Sequence, residues 1–151
     1  MSRRDDVLIQ IVFGTGLLLV NITVAAVGAF LLEAVFQRAH PWLIAPPQRP
    51  KLLLLLIGVG VWVLALITVA VWAWALALFQ LGAFLTLEES MYFSLVAFST
   101  LGLGDVVPPK ELRIFAAMAS VNGFLSFGLL TALLVEALRQ VRLAQLETQR
   151  K

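Results

Sequence analysis

The sequence predicts an all-α membrane protein in which each chain supplies three spanning helices and one short re-entrant helix. Three observations carry that expectation. The 151 residues are 61% hydrophobic and 13% charged, against about 25% charged in a typical soluble domain, so the excess of Leu, Val and Ala has to face something other than water. Three apolar runs are longer than about 30 Å of hydrocarbon requires at a helical rise of about 1.5 Å per residue. A fourth run, 87–98, is apolar but too short to cross.

The first span is expected over 7–32, broken by Gln10, Asn21 and small polar residues, with Gly14, Gly16 and Gly28 allowing close helix contact. Arg3 and Arg4 ahead of an apolar run also outline a cleaved signal, but the run is too long and Asp5 and Asp6 offset the charge. Residues 33–51 change character. Arg38, His40, Arg49 and Lys51 stand among Pro41, Pro46, Pro47 and Pro50, which reads as a loop with Trp42 at headgroup level and His40 as a candidate pH sensor at the surface. The second span, 52–80, is uncharged and long enough to tilt, with Trp62, Trp72 and Trp74 against lipid or the protein interior. Thr86-Leu87-Glu88-Glu89 is a capping box that opens the short helix. A capped helix that cannot span is re-entrant. The third span, 112–138, follows Pro108-Pro109, and the tail beyond Arg139 and Arg142 is helix-prone. The chain thus divides into an N-terminal helix and loop (1–51), a central unit (52–138) and a polar tail (139–151).

Lys and Arg favour the cytoplasmic side. Arg38, Arg49, Lys51, Arg139, Arg142, Arg150 and Lys151 fall on one side, and Arg3, Arg4, Lys110 and Arg113 on the other. The C-terminus is therefore expected inside and the N-terminus outside, in a multi-pass protein of the cell's inner (plasma) membrane. Asp5, Asp6, Glu88, Glu89, Asp105 and Glu111 then lie outside, where they concentrate cations.

The informative segment is Ser99-Thr100-Leu101-Gly102-Leu103-Gly104-Asp105. Non-helical backbone at membrane depth survives only where it is buried or lines water. Carbonyl oxygens replace the hydration shell of a cation if successive C=O groups face one axis. That requires a backbone of alternating handedness, which glycine at 102 and 104 enters without steric cost. The carbonyls of Thr100, Leu101, Gly102 and Leu103 are then expected to meet monovalent cations, the Thr100 hydroxyl to add an oxygen, and the Leu101 and Leu103 side chains to pack back on the short helix. The negative end of that helix favours a cation below it. One strand of carbonyls cannot surround an ion, so a symmetric self-assembly, a homotetramer, is expected.

Tyr92-Phe93-Ser94, Ser99 to Gly102, Gly104-Asp105, Pro108, Leu112-Arg113, Asn122-Gly123, Phe127-Gly128 and Thr131-Ala132 together resemble the two-transmembrane pore domain of potassium channels, and more closely small bacterial ion-channel proteins with an extra N-terminal helix. The resemblance covers about 52–138 well. It implies a potassium-channel-like tetramer with potassium held at Thr100, Leu101, Gly102 and Leu103 and no cofactor beyond the permeant ion. That family's filter reads Thr-Val-Gly-Tyr-Gly-Asp, so Leu103 replaces a tyrosine whose hydroxyl braces the filter. Val96 stands where some members carry a glutamate that pairs with the acid at Asp105, so Asp105 needs another partner or water. Ser99, Asp105 and Val96 are the implied filter supports.

Asn122, Ser126 and Thr131 are candidates to line a water-filled cavity, with an interhelical hydrogen bond the other reading for Asn122. Gly123 and Gly128 are candidate hinges or close-packing glycines, and Glu136 a candidate acidic ring or an interfacial salt-bridged residue. The chain has no cysteine and one histidine, and its spans show no paired ionisable residues, which argues against an enzyme. A formal charge of +2 is too small and scattered for nucleic-acid binding. A non-selective cation channel and a non-conducting membrane assembly protein remain as rival readings.

Overall fold

The computed structural model describes residues 3–44 and 48–149, all helix, turn or loop without a strand. Helix α1 is Arg3–Ile44, α2 Gln48–Gln80, α3 Leu87–Phe98, and α4 Arg113–Gln149 after a single 3-10 turn at Lys110–Leu112. Asp5–Ala39, Leu53–Gln80 and Lys110–Glu136 are long and apolar enough to cross a membrane. Large apolar side chains such as Val12, Phe13, Phe30, Leu54, Val61 and Leu64 are exposed along α1 and α2, as a lipid-facing surface requires and a water-facing one does not tolerate.

The loop expected over 33–51 is a correction. Helix α1 continues through Glu33 and Arg38 to Ile44, and α2 starts at Gln48. Pro41 comes within the last turn of α1, where it forfeits one bond, to the Gln37 carbonyl, with only three residues of helix following it, and Pro50 sits in the first turn of α2, where its missing N–H has no helical acceptor to forfeit. Residues 45–47, 150 and 151 and the side chains of His40, Trp42, Arg49 and Glu147 lie outside the described residues, and so do the roles expected of them. The tail does extend the last span as helix, as its composition suggests.

Helix α3 is fixed at its start by the predicted cap in a modified form. Thr86 Oγ1 accepts from the Glu89 N–H at 3.1 Å, while Glu89 Oε2 reaches past the cap residue to accept from Leu85 N–H at 3.2 Å. The core forms where α2, α3 and α4 meet. Trp74, Leu78, Ala97, Phe98, Phe115, Ala116 and Ala119 are buried there, with the Trp74 and Phe115 rings 5.2 Å apart. Trp72 by contrast is exposed.

Helix α1 runs parallel to α4 and is tied to it at their N-terminal ends. Gln10, 8% exposed, turns its Oε1 onto the N–H groups of Ile114 (3.2 Å) and Phe115 (3.4 Å). These belong to the first turn of α4, whose donors have no partner within the helix. The side chain of one helix thereby caps another. Nearby, a Cβ at Gly14 would overlap the Met118 sulfur, so glycine lets the two backbones approach. Against α2 the approach is at Gly28, whose carbonyl accepts from Trp62 Nε1 at 3.1 Å and whose Cβ would come 2.7 Å from Leu66.

On its other side α4 meets the end of α3. A Cβ added at Gly123 would overlap the Phe98 carbonyl oxygen and lie 2.7 Å from its carbon. Such backbone contact leaves no room for any side chain.

Two outcomes follow from these contacts. Gln10→Met keeps the shape and removes the acceptor, and is expected to cost about 1 kcal/mol, seen as a thermal midpoint a few degrees lower; an unchanged midpoint would remove Gln10 as the cap of α4. Gly123→Ala is expected to destabilise the folded chain by more than about 2 kcal/mol while Gly128→Ala, which meets nothing within 4 Å, stays within about 0.5 kcal/mol. Equal midpoints for the two variants would contradict the close approach.

Candidate functional site

The segment 99–105 leaves α3 through a Schellman turn. Ser99 is the C-cap (φ −75°, ψ −2°). The next residue, Thr100, has φ +59° and donates its N–H to Ala97 O at 2.9 Å, and Leu101 donates to Val96 O at 3.1 Å. This pair of bonds, closing on the left-handed residue after the cap, satisfies carbonyls that the helix leaves open. Glycine usually holds that position. Thr100 is β-branched, and its left-handed conformation is strained by about 1–2 kcal/mol.

Val96 contributes through its backbone. Its carbonyl accepts from Leu101 N, from Ser99 Oγ at 3.1 Å and, at the limit of 3.5 Å, from Gly102 N. The side-chain role that the sequence suggested for position 96 is not what ties it to the segment.

Beyond Thr100 the backbone alternates. Gly102 has φ +58° and Gly104 φ +77°, while Leu101 and Leu103 between them are not left-handed. A helix cap explains Thr100 alone. It does not explain two further reversals at every second residue, which rotate successive peptide planes so that neighbouring carbonyls can share a side. Leu101 and Leu103 were expected to pack on the short helix. They do not: they are 64% and 59% exposed, because α3 binds the segment through backbone bonds and leaves these side chains pointing outward.

The far end of the segment returns to α3. Tyr92, the single tyrosine of the chain, donates its hydroxyl to Asp105 Oδ2 at 2.6 Å. Through this bond the Asp105 carboxyl is held below the ordinary carboxylate value and the Tyr92 hydroxyl above the ordinary phenol value. Tyr92 and Val96 are one turn apart on α3, so a single helix face clamps the segment at both ends. Behind it, a cavity of about 350 Å³ lies between that face, residues 102–108 and α4, with Arg113 on its wall.

The residues proposed for a cavity along the last span do not stay together. Asn122 is fully buried and Ser126 nearly so; they share the inward stripe of α4 with Phe115 and Ala119. Enclosure within one chain cannot be reversed by assembly, so Asn122 lies between helices, not on an open cavity face. Gly123 sits on the Phe98 backbone. Gly128 and Thr131 lie on the open face. Glu136, further along, binds Arg139 Nε and Nη2 at 2.9 and 3.0 Å, the salt-bridged reading of that residue.

Tyr92 and Gln10 were not singled out as partners in the sequence. A signal for Tyr92 existed: it lies one turn before Val96 on a helix, and Asp105 lacked a partner. For Gln10 there was none beyond its being polar inside a span, since its partners are more than a hundred residues away.

Among the described residues no three His, Cys, Asp or Glu side chains gather as a metal site. Neither curated proteins nor solved structures give a match to the chain. Residues 52–140, from the start of α2 into the last third of α4, match a family model described as ion channel. The matched part contains α3, the alternating segment and the Gly123 contact, is more than half of the sequence, and leaves α1 outside as an additional helix. The chain therefore belongs to the ion-channel family, with a two-transmembrane domain of the potassium-channel-like kind.

Proposed function

We propose that four copies of the chain assemble around segment 99–105 and conduct potassium passively through a ring of backbone carbonyls. The observation that carries this reading is the alternation of left-handed residues at 100, 102 and 104 in a segment anchored at both ends to one short helix. Carbonyls brought to one side offer oxygens, and four chains are needed to surround an ion with them. The exposure of Leu101 and Leu103 supports assembly, since such side chains are unfavourable in water and become covered by neighbouring chains. The Tyr92–Asp105 bond supplies, from α3, the bracing that a tyrosine at position 103 would otherwise give.

The orientation proposed is C-terminus inside and N-terminus outside, in the plasma membrane. The excess of Lys and Arg on one side supports it, and the helix order puts the start of α1 on the same side as residues 99–105.

Leucine at 103 favours a second reading, a channel that passes sodium and potassium alike, because an apolar side chain packs without fixing the position of the backbone behind it. Reversal potentials of purified protein in liposomes under opposed sodium and potassium gradients separate the two.

Gly102→Ala places a Cβ on a left-handed residue and is expected to abolish cation flux while leaving assembly intact; wild-type flux would withdraw the carbonyl-ring assignment. Tyr92→Phe deletes one oxygen and is expected to lower the potassium-to-sodium permeability ratio several-fold. The pH dependence has a defined sign. A carboxyl with a lowered pKa loses its contribution only as pH falls through that lowered value, and a phenol with a raised pKa only as pH rises through the raised one. Selectivity of the wild type should therefore be flat from about pH 4 to about pH 10 and fail only below the ordinary carboxylate value, where Asp105 protonates, or above the ordinary phenol value, where Tyr92 ionises. A mid-range change that disappears in Tyr92→Phe would show that the brace titrates where these shifts forbid it.

A further inference from the structure

The two halves of α1 are held differently. Its outer half is fastened by Gln10 and Gly14 to α4 and by Gly28 to α2. Further along, grooves of about 260 Å³ and 370 Å³ open between α1 and α2 and between α1 and α4, with Leu32 and Phe36 forming part of each. The groove against α2 is walled by apolar side chains and Trp62. The groove against α4 is different. Ala29 and Phe30 of α1 face Leu129 and Leu133 of α4 across an apolar trough, and one carboxylate from each helix, Glu33 and Glu136, joins its lining.

Both glutamates fall within stretches apolar enough to cross a membrane, where an ionisable group is expensive unless paired. The sequence hid this pairing because 33–51 read as a loop. Glu136 is compensated by Arg139 through both oxygens. For Glu33 the structure gives a 3.4 Å hydrogen bond from the neutral Gln37 amide and no ion pair among the described residues. The groove thus combines an apolar trough with a carboxylate whose charge is not balanced there, at a volume within the range of about 300–1,000 Å³ typical of small-molecule sites.

We propose that the α1–α4 groove binds a cationic amphiphile, its alkyl chain along Ala29, Phe30, Leu129 and Leu133 and its ammonium beside Glu33. Charge decides the class of ligand. A neutral or anionic tail would fill the trough equally well but leave Glu33 uncompensated, whereas an ammonium supplies the counter-charge in a low-dielectric setting where it counts for most. A bare metal ion would find two carboxylates and otherwise hydrocarbon. The site lies on the additional helix, outside the matched channel domain except for its α4 wall, and its existence does not depend on conduction.

The test uses the full chain in neutral-lipid nanodiscs and an alkyltrimethylammonium probe carrying a diazirine, with labelled peptides mapped by mass spectrometry. Expected are labels within 26–36 and 129–136, competed by dodecyltrimethylammonium, weakened about tenfold in Glu33→Gln and blocked in Ala29→Phe at an unchanged thermal midpoint. Labelling elsewhere, undiminished labelling in Glu33→Gln, or equal labelling by a diazirine alkyl alcohol or sulfate would overturn the proposal, the last identifying an ordinary lipid-tail groove. So would the absence of any label together with dissociation of the assembly in Ala29→Phe, which would give the groove to a second copy of the chain.

Discussion

The structure depends on how a short stretch of non-helical backbone is kept in one shape. Residues 99–105 belong to no helix or sheet ladder, so each turn has to be imposed by something beside it. Most of that is done by one carbonyl. Val96 O gathers the Leu101 N–H, the Ser99 hydroxyl and, weakly, the Gly102 N–H, and this convergence holds Thr100 in a conformation its branched side chain resists. Glycine then continues the alternation at 102 and 104 without further strain. The Tyr92 hydroxyl closes the far end on Asp105. The segment is in effect a strap buckled twice to the same face of α3.

The same contacts change the electrostatics expected of α3. A helix C-terminus attracts cations because its last carbonyls lack partners. Here Leu95 O takes Ser99 N, Val96 O takes Leu101 N, Ala97 O takes Thr100 N, and Phe98 O lies against the Gly123 backbone. The last carbonyls are thus largely engaged, while the aligned peptide units of α3 still direct its negative end toward this segment. In the proposed assembly, the carbonyls of residues 100–103 and acids such as Asp105 would then supply attraction for a cation alongside the dipole of α3.

What was legible in the sequence was whatever depends on spacing along the chain. The spans follow from apolar length, the start of α3 from Thr86 and Glu89, and the reversals at 102 and 104 from glycine's freedom. Two kinds of feature escaped. Residues 33–44 look like a loop because charge and proline argue against helix locally, yet helix α1 carries on past Pro41 for three residues, at the cost of the one bond Pro41 cannot donate. Contacts between distant residues also escaped: nothing in the pattern says that Gln10 caps a helix beginning at residue 113, or that Asn122 turns inward while Thr131 turns outward. Those depend on the rotation of each helix about its axis, which an almost uniformly apolar sequence leaves undetermined, because every face is equally fit for lipid.

The distribution of contacts along α4 limits where that helix can change shape. At its N-terminal end Gln10 holds the first turn, Trp74 packs on Phe115, and Met118 fills the notch at Gly14. At Gly123 the backbone of α4 rests on Phe98, so a bend there would drive it into the end of α3 and disturb the turn on which Thr100 depends. Below that point the restraints thin out. Gly128 has open space around it, and the groove shared with α1 lies alongside Leu129 and Leu133. Of the two glycines in this helix, Gly123 is a packing surface and Gly128 is not in contact across a helix interface. A displacement of the C-terminal part of α4 therefore leaves the strap on α3 intact, and the groove shared with α1 lies along that part of the helix and not along residues 99–105.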